Sequence, residues 1–247
     1  MSFDTPFDWG EHEAEAGIEK SLRLGPLDLA FTQESGEIRL RFGDAPWSRF
    51  VPGDWNGRIR LSPVLPGRLV VVKPENDFWL LRGARARIYV RVPLEVRVEA
   101  LGARPVRLVD VPTESMSDTW WGSPEEGQLS YWLDTRARRN VQPGEFEEHL
   151  CVCPLQLENS SSEDLNVDRI ALRVDYLSVY QDETRLWSDE TRVHYLGDDA
   201  ESRIEMSGRP PTEAPQATRI TGPRLAMNRG ITGRTFARIR SSLGGWL

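Results

Sequence analysis

The chain has 247 residues, of which 39% are hydrophobic and 28% are charged, and its formal net charge is −7. This composition is typical of a soluble globular protein, and a chain of this length buries about 70% of its unfolded surface without disulfides. Purely apolar stretches are short, the N-terminus is acidic and unlike a signal peptide, and there are only two cysteines, so the sequence predicts a cytoplasmic protein with no membrane-spanning helix.

Residues 20–43 carry the first clear strand pattern. Apolar side chains fall on even positions and charged ones mostly on odd positions in Ser21–Leu24 and again in Glu37–Phe42. This alternation is typical of strands that bury one face. Gly25–Pro26 and Glu34–Glu37 supply turn residues between the apolar segments. The region therefore predicts two or three antiparallel strands.

Short alternating segments recur along the rest of the chain, and Gly and Pro residues separate them. They predict strands at Arg58–Leu61, Leu69–Val72, Phe78–Leu81, Arg87–Val92, Leu94–Glu99, Arg107–Val111, Leu129–Leu133, His149–Leu157, Ile170–Val179, Arg185–Trp187, Arg192–Leu196 and Arg203–Met206. This pattern favours an all-β fold of antiparallel, immunoglobulin-like β-sandwiches. Residues 69–93 and 149–174 repeat one order of strands and turns, which favours two packed sandwiches over one large sandwich.

Composition also indicates where the folded units end. A stretch rich in Pro, Gly and Asp from Pro112 to Gly127 predicts a boundary between an N-terminal sandwich at residues 1–111 and a C-terminal sandwich at residues 112–207. Residues 208–223 contain four prolines and few apolar side chains, which predicts an extended linker. We therefore expect the folded body to end near Met206.

The basic tail, residues 224–247, differs from the rest of the chain. No acidic residue follows Glu213, and six arginines give residues 214–247 a charge of +6, which leaves −13 on residues 1–213. Apolar residues at helical spacing, with arginines beside them, predict a short C-terminal amphipathic helix. A disordered tail is the alternative, because glycines and serines weaken the helix. The residues predicted to bind a partner are Arg234, Phe236, Arg238, Ile239, Arg240 and Leu243.

Trp120 and Trp121 are adjacent in a segment rich in turn residues. If this segment is extended, the two indoles point to opposite faces, so one of them is exposed or covers an edge. Exposed aromatic side chains are typical of binding surfaces, and both residues join the predicted partner-binding set. Ordinary packing between sheets is the alternative interpretation.

The sequence contains no recognisable catalytic, nucleotide-binding or metal-binding motif. His149, Cys151 and Cys153 alternate along one predicted strand, which spreads them over about 13 Å, too far for a single tetrahedral zinc site. Small buried residues on a central strand are the better interpretation of the two cysteines. We therefore predict no catalytic residue, no metal and no cofactor, and the acidic body argues against nucleic acid as a partner.

Several segments resemble an uncharacterised prokaryotic family that is known only as a domain of unknown function. They are Arg58–Val64, Leu80–Val98, Trp121–Gly127 and, more closely, Leu155–Leu165 and Asp175–Glu183. The resemblance covers residues 55–207 and implies a cytosolic β protein without a known activity. Some members are encoded beside small-conductance mechanosensitive channels. From this resemblance, we expect the arginine-rich tail after Pro210 to lie outside the family pattern.

These observations favour a non-catalytic protein-binding or accessory module, which is cytoplasmic or associated with a membrane through its tail. The resemblance implies a mechanosensitive-type membrane channel as the partner. The alternative is a carbohydrate-active or other hydrolytic β-sandwich enzyme, suggested by the acid-rich segments around Trp120 and Trp132. A cleft with two converging acids beside an exposed Trp would support the enzyme. A homo-oligomer formed through exposed strand edges also stays open.

Overall fold

The computed structural model describes residues 7–141, 147–183, 185–197, 202–226 and 231–233. These ranges contain strands, turns and a single 3-10 turn at Val174–Tyr176, so the prediction of an all-β fold is confirmed. Within them, no helix is long and apolar enough to cross a membrane. The predicted C-terminal helix lies outside the described residues.

The strands are, in chain order, β1 (Gly10–Glu13), β2 (Lys20–Leu24), β3 (Leu27–Glu34), β4 (Glu37–Phe42), β5 (Ser48–Phe50), β6 (Arg58–Val64), β7 (Val70–Pro74), β8 (Phe78–Leu80), β9 (Arg85–Pro93), β10 (Glu95–Ala100), β11 (Val106–Pro112), β12 (Ser117–Trp121), β13 (Gln128–Arg138), β14 (Leu150–Asn159), β15 (Leu165–Val167), β16 (Ile170–Leu172), β17 (Val179–Gln181), β18 (Leu186–Ser188), β19 (Thr191–Tyr195), β20 (Ser202–Met206), β21 (Thr218–Thr221) and β22 (Ile231–Gly233).

Two four-stranded sheets form a sandwich around a common core. One has the strand order β1-β6-β10-β11 and the other the order β2-β3-β4-β5. Alternate side chains of the two sheets face each other, and the core they form includes Leu29, Phe31, Ile38, Leu40, Ile59, Leu61, Val96 and Val98. Because β2, β3 and β4 pair antiparallel, the prediction for residues 20–43 is confirmed.

Twelve strands form the larger sheet, whose main path runs β16-β7-β13-β9-β14-β18-β17-β21. Central strand β14 pairs antiparallel with β9 and parallel with both β18 and β19. Side chains of β7, β9, β14 and β16 share one core with the two-stranded β8–β15 sheet. The sandwich-like arrangement of antiparallel strands is therefore confirmed, while the parallel pairs are a feature that the sequence did not predict.

Strand pairing crosses the predicted boundary between residues 111 and 112. Strands β7 and β9 precede this point, but they pair with β13 and β14, which follow it. The chain passes between the sheets at Leu94, whose backbone N–H donates to the His149 carbonyl. Pairing does not show which segments fold independently, so the division into domains at residues 1–111 and 112–207 stays a prediction.

Residues 208–226, which we call the strap, pack against the body. Ala214 and Ala217 are buried against Tyr180 and Trp187, and β21 pairs with β17. The Glu213 carboxylate accepts hydrogen bonds from the side chains of β9 at distances of 2.5–2.9 Å. The expectation that the folded body ends near Met206 is therefore wrong, because small alanines and polar contacts attach the strap without large apolar residues.

One predicted strand, Ile170–Val179, is interrupted. The structure divides it into β16, the 3-10 turn and β17. Val174 and Leu177 are both buried, and the Leu177 N–H donates to the Val174 carbonyl. A spacing of three between buried residues fits a 3-10 turn and not a strand, in which buried positions differ by two.

Candidate functional site

The adjacent tryptophans lie on the β12–β13 hairpin, whose strands pair antiparallel without a register shift. Side chains alternate along β12, so Trp121 packs with Trp132 over Leu69 and Val71. Trp120 points to the opposite face and is 53% exposed. The prediction that one indole of the pair is exposed is therefore confirmed, while partner binding by either residue stays a prediction.

The exposed indole of Trp120 is held in a defined position. Its Nε1 donates a hydrogen bond to the Ser123 carbonyl at 2.9 Å, and Gly127 lies directly against the ring. Leu129, which is opposite Trp120 on β13, is also exposed. A fixed aromatic side chain loses little conformational entropy when a partner covers it, which favours binding at this position.

We expect Gly127→Ala to lower the free energy of unfolding by about 1–3 kcal/mol, because the added methyl group overpacks the turn. A Cβ at Gly127 would lie 2.2 Å from Nε1 of Trp120 and 2.6 Å from the Ser123 carbonyl oxygen. Urea denaturation measures the change. The matched control is Gly53→Ala, because a Cβ there meets nothing within 4 Å; equal midpoints for the two variants would contradict the packing.

Arg68 connects the exposed face of the hairpin to a neighbouring groove. Its Nη1 lies 3.2 Å from Oδ1 of Asp118, and its guanidinium lies 5.2 Å from the centroid of the Tyr131 ring. Asp118 and Tyr131 are directly opposite on β12 and β13. Trp120 and Leu129 lie on the same face of the hairpin, two residues away along each strand, which is a separation of about 7 Å.

The groove, which we call the junction groove, has a volume of about 310 Å³. It lies where the hairpin meets the sandwich of the two four-stranded sheets, which we call the smaller sandwich. Arg68 and Tyr131 line one part of it, and residues 107–110 of β11 line another. Glu95 of β10 and Arg224 of the strap also line it. The junction groove thus brings together side chains from β10, β11, β13 and the strap.

Two carboxylates in the junction groove bind the guanidinium of Arg224. Asp110 accepts a short hydrogen bond from Nη1, and Glu95 accepts one from Nη2 at 2.5 Å. Nε of Arg224 donates to the Leu65 carbonyl at 2.5 Å. Asp110 also accepts two hydrogen bonds from Arg97, each at 2.9 Å. Both acids are therefore ion-paired, and the pairs join the strap to the smaller sandwich.

The two acids have opposite pKa shifts. Burial raises the pKa of Glu95, and the nearby charge of Arg224 offsets this only in part. Burial also acts to raise the pKa of Asp110, but hydrogen bonds from Arg97 and Arg224 outweigh it and hold the pKa below its ordinary value. Opposite shifts are found in acid–base pairs of enzymes and also in structural ion-pair networks.

Trp120 and Trp121 are the predicted site residues that the structure describes. The predicted tail residues lie outside the described residues; they are Arg234, Phe236, Arg238, Ile239, Arg240 and Leu243. Glu95 and Asp110 were not predicted as site residues, because each is one of many charged residues that alternate with apolar ones in a strand. Arg224 belonged to the predicted tail, where the surrounding sequence does not show which arginine is buried.

Cys151 and Cys153 are buried on the central strand β14, as predicted for small core side chains. Burial raises the pKa of the Cys151 thiol, which keeps it protonated and unreactive. His149 lies just before this strand, with Nε2 at 3.7 Å from Glu114 and 3.5 Å from Glu147. In the described ranges, no group of three or more His, Cys, Asp or Glu side chains could hold a metal ion.

A model for a family described as a protein of unknown function, DUF432, matches residues 8–240. No curated protein and no solved structure matches the chain. The matched range includes the hairpin, the junction groove and the strap. It also extends beyond Pro210, so the expectation that the arginine-rich tail lies outside the family pattern is wrong for residues up to 240.

Proposed function

Because the chain belongs to the DUF432 family of proteins of unknown function, we propose its function from the geometry of its surface. It is a non-catalytic protein-binding or accessory module that contacts its partner through the exposed face of the β12–β13 hairpin. The observation that carries this proposal is Trp120, whose indole is exposed and yet held by Ser123 and Gly127.

The surroundings of Trp120 suit a protein interface. Interfaces concentrate their binding energy in a few Trp, Tyr and Arg side chains, which a polar rim surrounds. Leu129 extends the apolar surface of Trp120. Tyr131, which is covered by the guanidinium of Arg68, lies on the same face two residues further along β13. The ion pair between Arg68 and Asp118 supplies polar groups at the edge of this surface.

The family resemblance proposes a partner to test first, a membrane channel of the mechanosensitive class. A channel partner is consistent with a protein that acts at the cytoplasmic side of a membrane, where the five arginines after Glu213 other than the ion-paired Arg224 favour the channel or anionic lipids. Cytoplasmic localisation and peripheral membrane contact are thus parts of the same proposal.

We expect Trp120→Ala to weaken binding to a purified small-conductance mechanosensitive channel by about 30-fold, which corresponds to about 2 kcal/mol at a hot-spot tryptophan. Biolayer interferometry with the channel in lipid nanodiscs measures the affinity. The matched control is Trp79→Ala, because Trp79 is also exposed, at 65%, but lies on β8. Equal affinities of the two folded variants would contradict a role for the hairpin.

A hydrolytic enzyme is the second candidate function, and one observation favours it: Glu95 and Asp110 converge in one groove and have opposite pKa shifts. We propose binding instead, because arginines already bind both carboxylates. Release of reducing sugars from a panel of glycans by the wild type, lost in Glu95→Gln, would replace our proposal.

Two finer features also belong to this proposal. The sandwiches are proposed to be immunoglobulin-like, on the basis of their short antiparallel strands. A homo-oligomer is the alternative use of the hairpin. Within the described residues, β12 pairs with β13 and is an edge strand of the sheet, and an edge strand can pair with a strand of a second copy. Light scattering of the purified protein distinguishes a monomer from such an oligomer.

A further inference from the structure

The junction groove matches a guanidinium group closely. Nε and both Nη atoms of Arg224 each have their own acceptor, which are the Leu65 carbonyl, Glu95 and Asp110. A guanidinium presents its donors in a fixed planar fork, so three acceptors in these positions recognise an arginine better than a lysine, whose ammonium is a single point. The arrangement is therefore selective for one type of side chain.

The acceptors are buried enough to require a cation. The side chains of Glu95, Asp110 and Arg224 are each no more than 15% exposed. Arg97 already binds Asp110 at two positions, whereas Glu95 accepts its hydrogen bond from Arg224. Because an unpaired buried carboxylate is costly, removal of Arg224 leaves a site that favours another guanidinium.

Arg224 comes from a part of the chain that is distant in sequence from its acceptors. It follows β21 by three residues, and the next residue, Leu225, donates its backbone N–H to the Asp175 carbonyl. The acceptors in the groove lie 114 to 159 residues earlier. Arg224 is thus a side chain placed in the groove from outside, by the strap.

We propose that the junction groove is a receptor for an arginine side chain of the bound partner and that Arg224 occupies this receptor in the unbound protein. The inference rests on the proposed function, since the partner covers Trp120 and inserts its arginine beside the same hairpin. Tyr131 lines the groove and lies on the same face of the hairpin as Trp120, two residues along β13 from Leu129, the cross-strand partner of Trp120. A partner segment that carries an apolar side chain and, a few residues away, an arginine fits this surface.

Arg224 competes with the partner in this scheme. A side chain held within the same chain has a high effective concentration, so it lowers the apparent affinity of any arginine that arrives from outside. Removal of Arg224 therefore frees the receptor and strengthens partner binding, although it weakens the attachment of the strap.

The receptor is tested without any partner, in the full-length Arg224→Ala protein. N-acetyl-arginine amide at about 30 mM is expected to raise the midpoint of thermal unfolding by about 2–5 °C in a saturable manner, since it binds the folded state alone. N-acetyl-lysine amide is the matched probe, and Arg224→Ala combined with Glu95→Gln is the control variant. No saturable rise, or an equal rise with both probes, overturns the receptor.

Arg224→Lys is the second variant, in case Arg224→Ala does not fold. It keeps the positive charge but cannot reach three acceptors with a planar fork. The arginine probe is expected to raise its midpoint more than the lysine probe does. Equal effects of the two probes on this variant overturn the receptor in the same way.

Displacement of Arg224 by an arginine of the partner is tested with the channel. Arg224→Ala is expected to bind the channel about 5- to 10-fold more tightly than the wild type does, because the internal competitor is absent. Unchanged or weaker binding of Arg224→Ala to the channel overturns the proposal that a partner arginine displaces Arg224. If the arginine probe binds Arg224→Ala but the wild type does not bind the channel, the receptor stands and the proposed partner is wrong, so the two failures are distinguishable.

Discussion

Asn159→Ala is expected to lower the free energy of unfolding by about 3–5 kcal/mol, because it leaves several buried polar groups without partners. The Asn159 side chain is completely buried at the end of β14. Its Nδ2 donates to the Leu80 and Glu163 carbonyls, each at 2.8 Å. Its Oδ1 accepts from the Ser161 N–H at 3.0 Å and from the Ser161 hydroxyl at 2.7 Å.

The side chain of Asn159 connects the end of β8, at Leu80, to the loop at residues 160–164. The backbone of the same residue contributes to this, since its carbonyl accepts from the Gly83 N–H at 2.7 Å and its N–H donates to the Ala84 carbonyl at 3.0 Å. The next residue, Ser160, donates to the Tyr195 carbonyl. Alanine keeps these backbone bonds but removes every side-chain bond, so Leu80 and the loop at residues 160–164 lose their common partner.

Thermal and urea denaturation measure this loss. Asn159→Asp is the second variant, because it preserves the shape but has no N–H to donate to the two carbonyls. Asn166→Ala, on neighbouring β15, is the matched control, because Asn166 is only half-buried, and we expect a loss of less than about 1 kcal/mol there. A stability of Asn159→Ala within about 1 kcal/mol of the wild type would disprove the central role of this side chain.

Asp110→Asn is expected to lower the free energy of unfolding by about 3 kcal/mol at neutral pH, because it leaves two buried guanidiniums with less negative charge. Asp110 binds Arg97 with two hydrogen bonds and also binds Arg224, so its carboxylate joins β10, β11 and the strap. The matched control is Asp118→Asn, because Asp118 is 61% exposed and has one ion pair with Arg68. We expect a loss of less than about 1 kcal/mol in the control.

The effect of Asp110→Asn is expected to depend on pH. The pKa of Asp110 is lower in the folded protein than in the unfolded chain, so its carboxylate stabilises the fold above the ordinary pKa of an aspartate, about 3.9. This contribution disappears as the pH falls through the lowered pKa of the folded state. The stability difference between the wild type and Asp110→Asn should therefore be complete at pH 6 and shrink below about pH 4. If the stability difference between the wild type and Asp110→Asn does not change between pH 6 and about pH 3, the charge of Asp110 is not its cause.

Much of the strand pattern could be predicted, because burial of one face leaves a record in the local sequence. The alternation in residues 20–43 is retained in β2, β3 and β4. Strand β12 was not predicted as a strand, because its sequence Ser-Asp-Thr-Trp-Trp has no clear alternation of apolar and polar residues and lies among turn residues. Its pairing with β13 makes it extended, which depends on a neighbour and not on its own composition.

The candidate site could be predicted only in part, for a related reason. Two adjacent tryptophans in an extended segment must face opposite ways, so the exposure of one indole follows once pairing with β13 makes the segment extended. The junction groove depends on contacts between Glu95, Asp110 and Arg224, which are distant in the sequence. A charge in a strand looks the same in the sequence whether it faces solvent or a buried guanidinium.

The sequence by itself determined the all-β class, the acidic body with its arginine-rich end, and the placement of Cys151 and Cys153 in a core strand. These properties follow from the residue types and their period along the chain. The tertiary structure alone decided that the proline-rich strap packs on the body and that Arg224 fills the junction groove. Small alanines and one arginine can attach a segment only where distant strands provide a matching surface, and that surface exists only in the folded chain.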